Sequence, residues 1–192
     1  PYLRYLTESF QSFAEQKNCS LQFSSPLESL VMDHDPEQIK QVLGNLLSNA
    51  IKFTPDGGHI DVRVTSADTY LKVEVQDTGI GIPEHELLHI FDRFYQADNA
   101  HARQGQGTGI GLAHARELVK WMGGSISAVS APGKGSFFTV SLPVTNRSEK
   151  RDVRSENFDR VETEDGFISE TAHPLTFSPL TSHLSLLLIE DN

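Results

Sequence analysis

Apolar residues fall at Leu3, Leu6, Phe10 and Phe13, gaps of three and four that predict one amphipathic helix over Leu3 to Gln16. Such a helix either packs on its own domain or ends a longer helix that begins before Pro1. Leu21 to Ser25 and Ser29 to Met32 alternate in the manner of short strands, with Pro26 in the turn between them. Asp35-Pro36-Glu37-Gln38 opens a second helix. Asp35 suits the N-cap, Pro36 the first helical position, and Gln38 completes a capping box. Its apolar side is Ile39, Val42, Leu43, Leu46, Leu47 and Ala50, and Pro55-Asp56-Gly57-Gly58 ends it after about Phe53. Val-rich alternation predicts strands at Ile60 to Thr65 and Leu71 to Gln76. A short helix follows near Glu84 to Ile90, then a longer one from Gly109 to Met122, stopped by Gly123-Gly124. Two last strands, Ser125 to Ser130 and Ser136 to Leu142, are joined by Pro132-Gly133-Lys134-Gly135. The order predicts an α+β fold: a two-layer α/β sandwich in which a mixed sheet carries helices on one face.

Two stretches break this rhythm. Gln96 to Gln106 is polar and aperiodic and reads as a mobile loop. From Asn146 to His183 the chain is polar, acidic and poor in apolar residues, and reads as a linker. Leu184-Ser185-Leu186-Leu187-Leu188-Ile189-Glu190-Asp191-Asn192 then turns apolar, like the first strand of another domain, although a short tail packing on its own domain is the alternative.

Composition narrows the classes. The 192 residues carry a net charge of −10, against the basic surface that a sequence-independent nucleic-acid binder needs. A phosphorylated ligand needs only local donors and stays open. The single cysteine, Cys19, cannot form an intrachain disulfide, which suits a reducing compartment. No run approaches the roughly 18 apolar residues of a membrane span, and Pro1 to Lys17 mixes charges with apolar residues, unlike a signal peptide. The chain opens and closes in mid-pattern and is expected to be a fragment of something longer.

Three clusters carry candidate chemistry. Asn45, Asn49 and Lys52, at i, i+4 and i+7, share one helical face. Amide oxygens suit a hard cation such as Mg²⁺, and a lysine suits phosphate; a solvated polar face is the alternative. Asp77-Thr78-Gly79-Ile80-Gly81-Ile82-Pro83 ends a strand. Its Asp can accept from an exocyclic amine, and its glycines let a planar ring approach the backbone; the alternative is a plain strand-ending turn. Gly105-Gln106-Gly107-Thr108-Gly109-Ile110-Gly111 runs into a helix, whose free N–H groups favour phosphate; the alternative is a hinge. It contains no G-x-G-x-x-G. Gly133-Lys134-Gly135-Ser136 is no P-loop either, because its Lys is not followed by Ser or Thr and Ala128 stands where the first Gly would be.

In order, NLLSNAIKFTP, DTGIGIP, IFDRFYQAD, GQGTGIGLA and GKGSFF resemble the catalytic, ATP-binding domain of bacterial sensor histidine kinases over about Leu21 to Val144. The resemblance implies ATP and Mg²⁺ as ligands and makes the segment between the glycine boxes an ATP lid. It implies Asn49 as the metal ligand, Asn45 beside it on phosphate or metal-bound water, and Lys52 on phosphate. Asp77 would hold the adenine amino group. Gly79 and Gly81 would shape the base pocket, with Ile82 beside them in the nucleotide-binding set. Phe91 and Phe94 would anchor the lid, Phe94 also counted in that set, with ordinary core packing as the alternative. Gly107, Gly109 and Gly111 would meet the phosphates, and Thr108, Ile110 and Leu112 between and after them would belong to the nucleotide-binding set. Arg103 in the lid could reach the γ-phosphate or stay solvated, and Gly133 and Gly135 would support the sheet.

Related ATPases of this fold carry a water-activating glutamate four residues before the metal-binding Asn. Here that residue is Asn45, which cannot act as a base. The resemblance therefore implies a protein-histidine kinase that donates the γ-phosphate to a histidine on a helical hairpin, followed there by an acidic residue. The eight histidines offer none in that setting: His34 precedes the helix cap, His85 and His89 flank the phenylalanine box, His101 is in the lid, His114 follows the last glycine, and His59, His173 and His183 lie in strand or linker. The expected division is 1–18 as the end of the dimerisation and phosphoacceptor hairpin, 19–145 as the catalytic domain, 146–183 as linker, and 184–192 as the start of a receiver domain, with Glu190 and Asp191 in its acidic pair. The implied partners are that hairpin and receiver in a homodimeric, hybrid parent. Alone, the fragment is expected to be a monomer without nucleic acid. A cytoplasmic location follows, on the inner face of the membrane if the parent is an inner-membrane sensor. A regulatory module that binds nucleotide without transfer, and an autonomous ATPase, are the competing classes.

Overall fold

The computed structural model describes residues 1–67, 69–96 and 108–144. The linker, the apolar segment 184–192 and the lid residues 97–107, with Arg103 and Gly107, lie outside the described residues. Five strands, β1 (Ser20–Ser24), β2 (His59–Ala67), β3 (Tyr70–Asp77), β4 (Ser125–Ser130) and β5 (Ser136–Pro143), form one sheet in the order β1-β2-β3-β5-β4. The β1–β2 pair is parallel and the other three pairs are antiparallel, so the sheet is mixed as expected. Ile60, Val62 and Val64 of β2, Leu71, Val73 and Val75 of β3, and Phe138, Val140 and Leu142 of β5 are buried on one face. Their exposed or half-buried neighbours, among them Asp61, Arg63, Gln76 and Thr139, point the other way, which is the period-2 pattern of a sheet covered on one side.

The helical layer is led by α3 (Pro36–Phe53). Val42, Leu43, Leu46, Leu47, Ala50 and Ile51 form its buried stripe, with Leu47 at 0% exposure. Asp35 caps it by accepting from the Glu37 N–H at 2.9 Å. Gln38 does not close the expected capping box on the Asp35 backbone; its amide donates to the Asp35 carboxylate at 3.3 Å instead. Beside α3 lies α5 (Gly111–Trp121), which buries Ala113, Ala115 and Val119.

Four local expectations are corrected. Leu3 to Gln16 is two helices, α1 (Tyr2–Glu8) and α2 (Gln11–Gln16), broken at Ser9-Phe10. The Ser9 hydroxyl donates to the Leu6 carbonyl at 2.6 Å, and the Phe10 N–H reaches only back to Thr7. The break turns Phe13 outward (61% exposed) and gives Ala14 the interior place. Both helices lie on the sandwich: the Tyr2 hydroxyl donates to the Pro36 carbonyl, and Leu6 and Ala14 enter the common core. Ser29 to Met32 is not a strand, since no described strand pairs with it; Leu30 and Met32 pack on the core from an irregular segment. That segment is pinned by His34, whose Nε2 lies 2.8 Å from the Pro143 carbonyl. The short helix α4 (Glu84–Leu87) ends before Ile90, and α5 starts at Gly111 rather than Gly109. Gly109 has φ +67°, outside any right-handed helix.

Candidate functional site

Helix α3 points its polar stripe at the start of α5. Asn45 and Asn49 are half-buried on that stripe. A Cβ added to Gly111 would stand 2.9 Å from Asn45 Oδ1, so the first residue of α5 and the amide of α3 are in close approach. The two helices thus bring the Asn45 amide and an uncapped helix N-terminus to one place, although 66 positions of sequence separate Asn45 from Gly111. Lys52, one turn further along, holds its Nζ 4.8 Å from the centre of the Phe53 ring. Thr108 and Ile110 are exposed, and Leu112 packs partly against the core.

Asp77, the last residue of β3, is 5% exposed. Its Oδ1 accepts from the Gly79 N–H at 2.8 Å and the Ser136 N–H at 3.1 Å. Burial pushes its carboxyl above the ordinary aspartate range, and those hydrogen bonds pull partly against the shift. The loop after it is wedged between two elements. On one side the Ile80 N–H donates to the Phe53 carbonyl at the end of α3, and a Cβ on Gly79 would lie 2.7 Å from that same carbonyl. On the other side Gly81, at φ +71°, approaches Ala131 so closely that a Cβ would overlap its carbonyl oxygen, and the Gly133 N–H donates to Ile80.

The turn between β4 and β5 therefore packs on the loop after Asp77. Gly133 and Gly135 were expected to support the sheet, and Gly135 lies directly on the Asp77 backbone, where a Cβ would meet the Asp77 carbonyl. Ser130 and Ser136 were not expected at all. Ser130 Oγ accepts from the Ile82 N–H at 2.8 Å and donates to the Gly135 carbonyl at 2.6 Å. Ser130 stands 48 positions from Ile82 and Ser136 stands 59 from Asp77, so no local pattern could have flagged them.

Both flanks of residues 97–107 are described. Phe94, at φ +65° and 73% exposed, donates its N–H to the Gly109 carbonyl at 2.9 Å, which ties the two flanks together. Phe91 packs edge-on against Phe138 at 6.4 Å, and Arg116 of α5 lies over the Phe91 ring. A hollow of about 480 Å³ opens between Phe10, α3 and His114. Of the expected nucleotide residues it touches Asn45, and Asp77, Gly79 and Lys52 do not line it.

A one-sided mixed sheet, an amide-bearing helix facing a glycine-led helix, and a buried Asp at a strand end define a nucleotide-binding α/β sandwich. The model of the histidine kinase-, DNA gyrase B-, and HSP90-like ATPase family matches residues 34–146. The chain is 38% identical over 151 residues to the sensor histidine kinase WalK of Bacillus subtilis, covering 77% of this chain and 25% of WalK. The catalytic domain of the histidine kinase ThkA superposes with a TM-score of 0.66 at 30% identity, over 75% of this chain and 91% of that one. A full-length ShkA in complex with AMPPNP gives a TM-score of 0.67 at 27% identity, over 76% of this chain and 30% of ShkA. ThkA is also known in complex with the response regulator protein TrrA, with a TM-score of 0.62 at 27% identity, over 75% of this chain and 40% of ThkA. The chain belongs to this ATPase family, as a domain of the histidine kinase catalytic type. It spans a quarter of WalK's length. No helix among the described residues is long and apolar enough to cross a membrane.

Proposed function

We propose that this domain holds ATP-Mg with its base at Asp77 and its phosphates between α3 and the start of α5, and donates the γ-phosphate to a histidine of a helical hairpin. The observation that carries the proposal is the close approach of Asn45 Oδ1 to Gly111, which sets an amide against the helix N-terminus where triphosphate oxygens would lie. Asn49 is assigned to Mg²⁺ and Lys52 to phosphate. The donor set fits an ion held mainly by phosphate oxygens and water: among the described residues no three His, Cys, Asp or Glu side chains gather to hold a metal. Bound there, Mg²⁺ would neutralise phosphate charge. Asn45 offers no base to activate water, so positioning and charge stabilisation serve another nucleophile. In the step, the imidazole nitrogen forms the new P–N bond as the bond from the γ-phosphorus to the β–γ bridging oxygen breaks. ADP leaves, and the imidazole loses its proton to solvent or to a neighbouring carboxylate.

The test is transfer in trans. The chain and labelled ATP-Mg, given a histidine-bearing helical hairpin, should form acid-labile phosphohistidine on the hairpin and little on the chain itself. A chain that binds ATP but labels no hairpin is a binding module only, and steady phosphate release well above that of a Lys52→Ala variant would make it an ATPase. LLLIEDN supports a hybrid parent in which 184–192 begins a receiver and 146–183 links it to the catalytic domain. A receiver acceptor Asp encoded after Asn192 would be expected on that reading, and its absence from the gene would remove it. The parent is then a homodimer carrying this domain in the cytoplasm.

A further inference from the structure

The hydroxyl of Ser130 lies where three chain segments meet: the end of β4, the loop after Asp77 and the start of β5. Ser130 ends the edge strand β4 and is half-buried. Its Oγ accepts the Ile82 N–H at 2.8 Å, donates to the Gly135 carbonyl at 2.6 Å, and stands 3.2 Å from Ser136 Oγ. A hydroxyl has one proton. The Gly135 carbonyl can only accept, and at 2.6 Å it takes that proton. Ser136 is therefore left as the donor of its own pair, with its hydroxyl free to serve either Ser130 or the Asp77 carboxylate. Its backbone N–H already binds Asp77 Oδ1 at 3.1 Å. A chain of bonds runs from the loop after Asp77, through Ser130, to Gly135 and Ser136, and back to Asp77. The backbone adds two constraints: the Gly133 N–H reaches the Ile80 carbonyl at 2.7 Å, and Gly135 leaves no room for a Cβ against the Asp77 carbonyl.

We propose that Ser130 is a positioning residue that sets the base selectivity of the nucleotide site by fixing where the Asp77 carboxylate points. It touches no nucleotide. Alanine at 130 leaves the Ile82 N–H and the Gly135 carbonyl without their partner, and the turn that orients Asp77 relaxes. An Asp that recognises an exocyclic amine by one directional bond loses selectivity when its orientation loosens, whereas contacts to phosphates, on α3 and α5, stay as they were. The inference rests on the reading of Asp77 as the adenine acceptor.

The experiment measures the affinity of the 192-residue chain for ATP-Mg and for inosine triphosphate-Mg, which carries a carbonyl where adenine has its amine. Ser130→Ala should weaken ATP roughly three- to tenfold and inosine triphosphate far less, so that the ratio collapses; Ser130→Thr, which keeps a hydroxyl, should restore it. Retained binding of inosine triphosphate shows that the variant is folded. Equal weakening of both nucleotides, or an unchanged ratio, overturns the proposal. Asp77→Asn separates the two levels. If it leaves the ratio intact, the adenine reading itself has failed. If it collapses the ratio while Ser130→Ala does not, only the role of Ser130 is lost.

Discussion

Asp77, to which we assign the base in our proposal, carries a cost to the fold. Burial raises its carboxyl above the ordinary aspartate range. Between the ordinary value, near 4, and the raised one, the folded chain binds the proton more tightly than the unfolded chain does. Stability therefore falls as pH rises through that window, and above it the burden of a buried charge is complete. Asn at 77 retains an oxygen for Gly79 and Ser136 and carries no charge. Asp77→Asn should leave the thermal midpoint at neutral pH unchanged or higher, measured against wild type across pH 4 to 8, while ATP-Mg binding weakens by about tenfold or more. A lower midpoint with unchanged binding would contradict both halves. At the phosphate end, Asn49→Ala should abolish the Mg²⁺-dependent part of ATP binding, read as the ratio of affinities with Mg²⁺ and with EDTA.

At the scale of elements, the surroundings of Asp77 are closed by backbones that meet at glycines. Gly81 has φ +71° and Gly135 φ +75°, and a Cβ on either would overlap a carbonyl oxygen. The left-handed conformation alone costs an alanine roughly 1–2 kcal/mol, and the overlap adds to it. Gly135→Ala should therefore lower the denaturation midpoint and loosen the base site together, whereas Gly133→Ala, whose Cβ meets nothing within 4 Å, should cost only the conformational part. The cap of α3 is a contrasting case. Asp35→Ala should remove about 1 kcal/mol of stability, visible in urea unfolding, without changing nucleotide affinity, because Asn45 lies nearly three turns further along the helix.

At the scale of the molecule, one core joins both layers. Leu47 of α3 is 0% exposed among sheet residues such as Ile60 and Val75. Leu47→Ala should cost about 2–5 kcal/mol and release nucleotide only as the whole domain unfolds, so a nucleotide-binding loss that tracks circular dichroism is the expected signature. Much of this architecture was legible in the sequence. The stripe of α3, the Val-rich alternation of β2 and β3, and the order of helices and strands all follow from periods of 3.6 and 2. The failures have two causes. The break at Ser9-Phe10 is a local hydroxyl competing for a helix carbonyl inside an unbroken apolar pattern. Ser29 to Met32 alternates like a strand but has no described strand beside it, and a strand exists only by pairing.

The sequence by itself determined the family, the ordered boxes, the amide in place of a water-activating glutamate, and the helix face that carries Asn45, Asn49 and Lys52. These are statements of residue type and short-range spacing, which survive without coordinates. Only the tertiary structure decided that Asn45 sits against Gly111, that Phe94 and Gly109 tie the flanks of 97–107, and that the β4–β5 turn builds the surroundings of Asp77. Those contacts join residues 15 to 66 positions apart. Hydrophobic closure of the sandwich brings them together, and a glycine or a serine hydroxyl leaves no periodic mark by which its distant partner could be read.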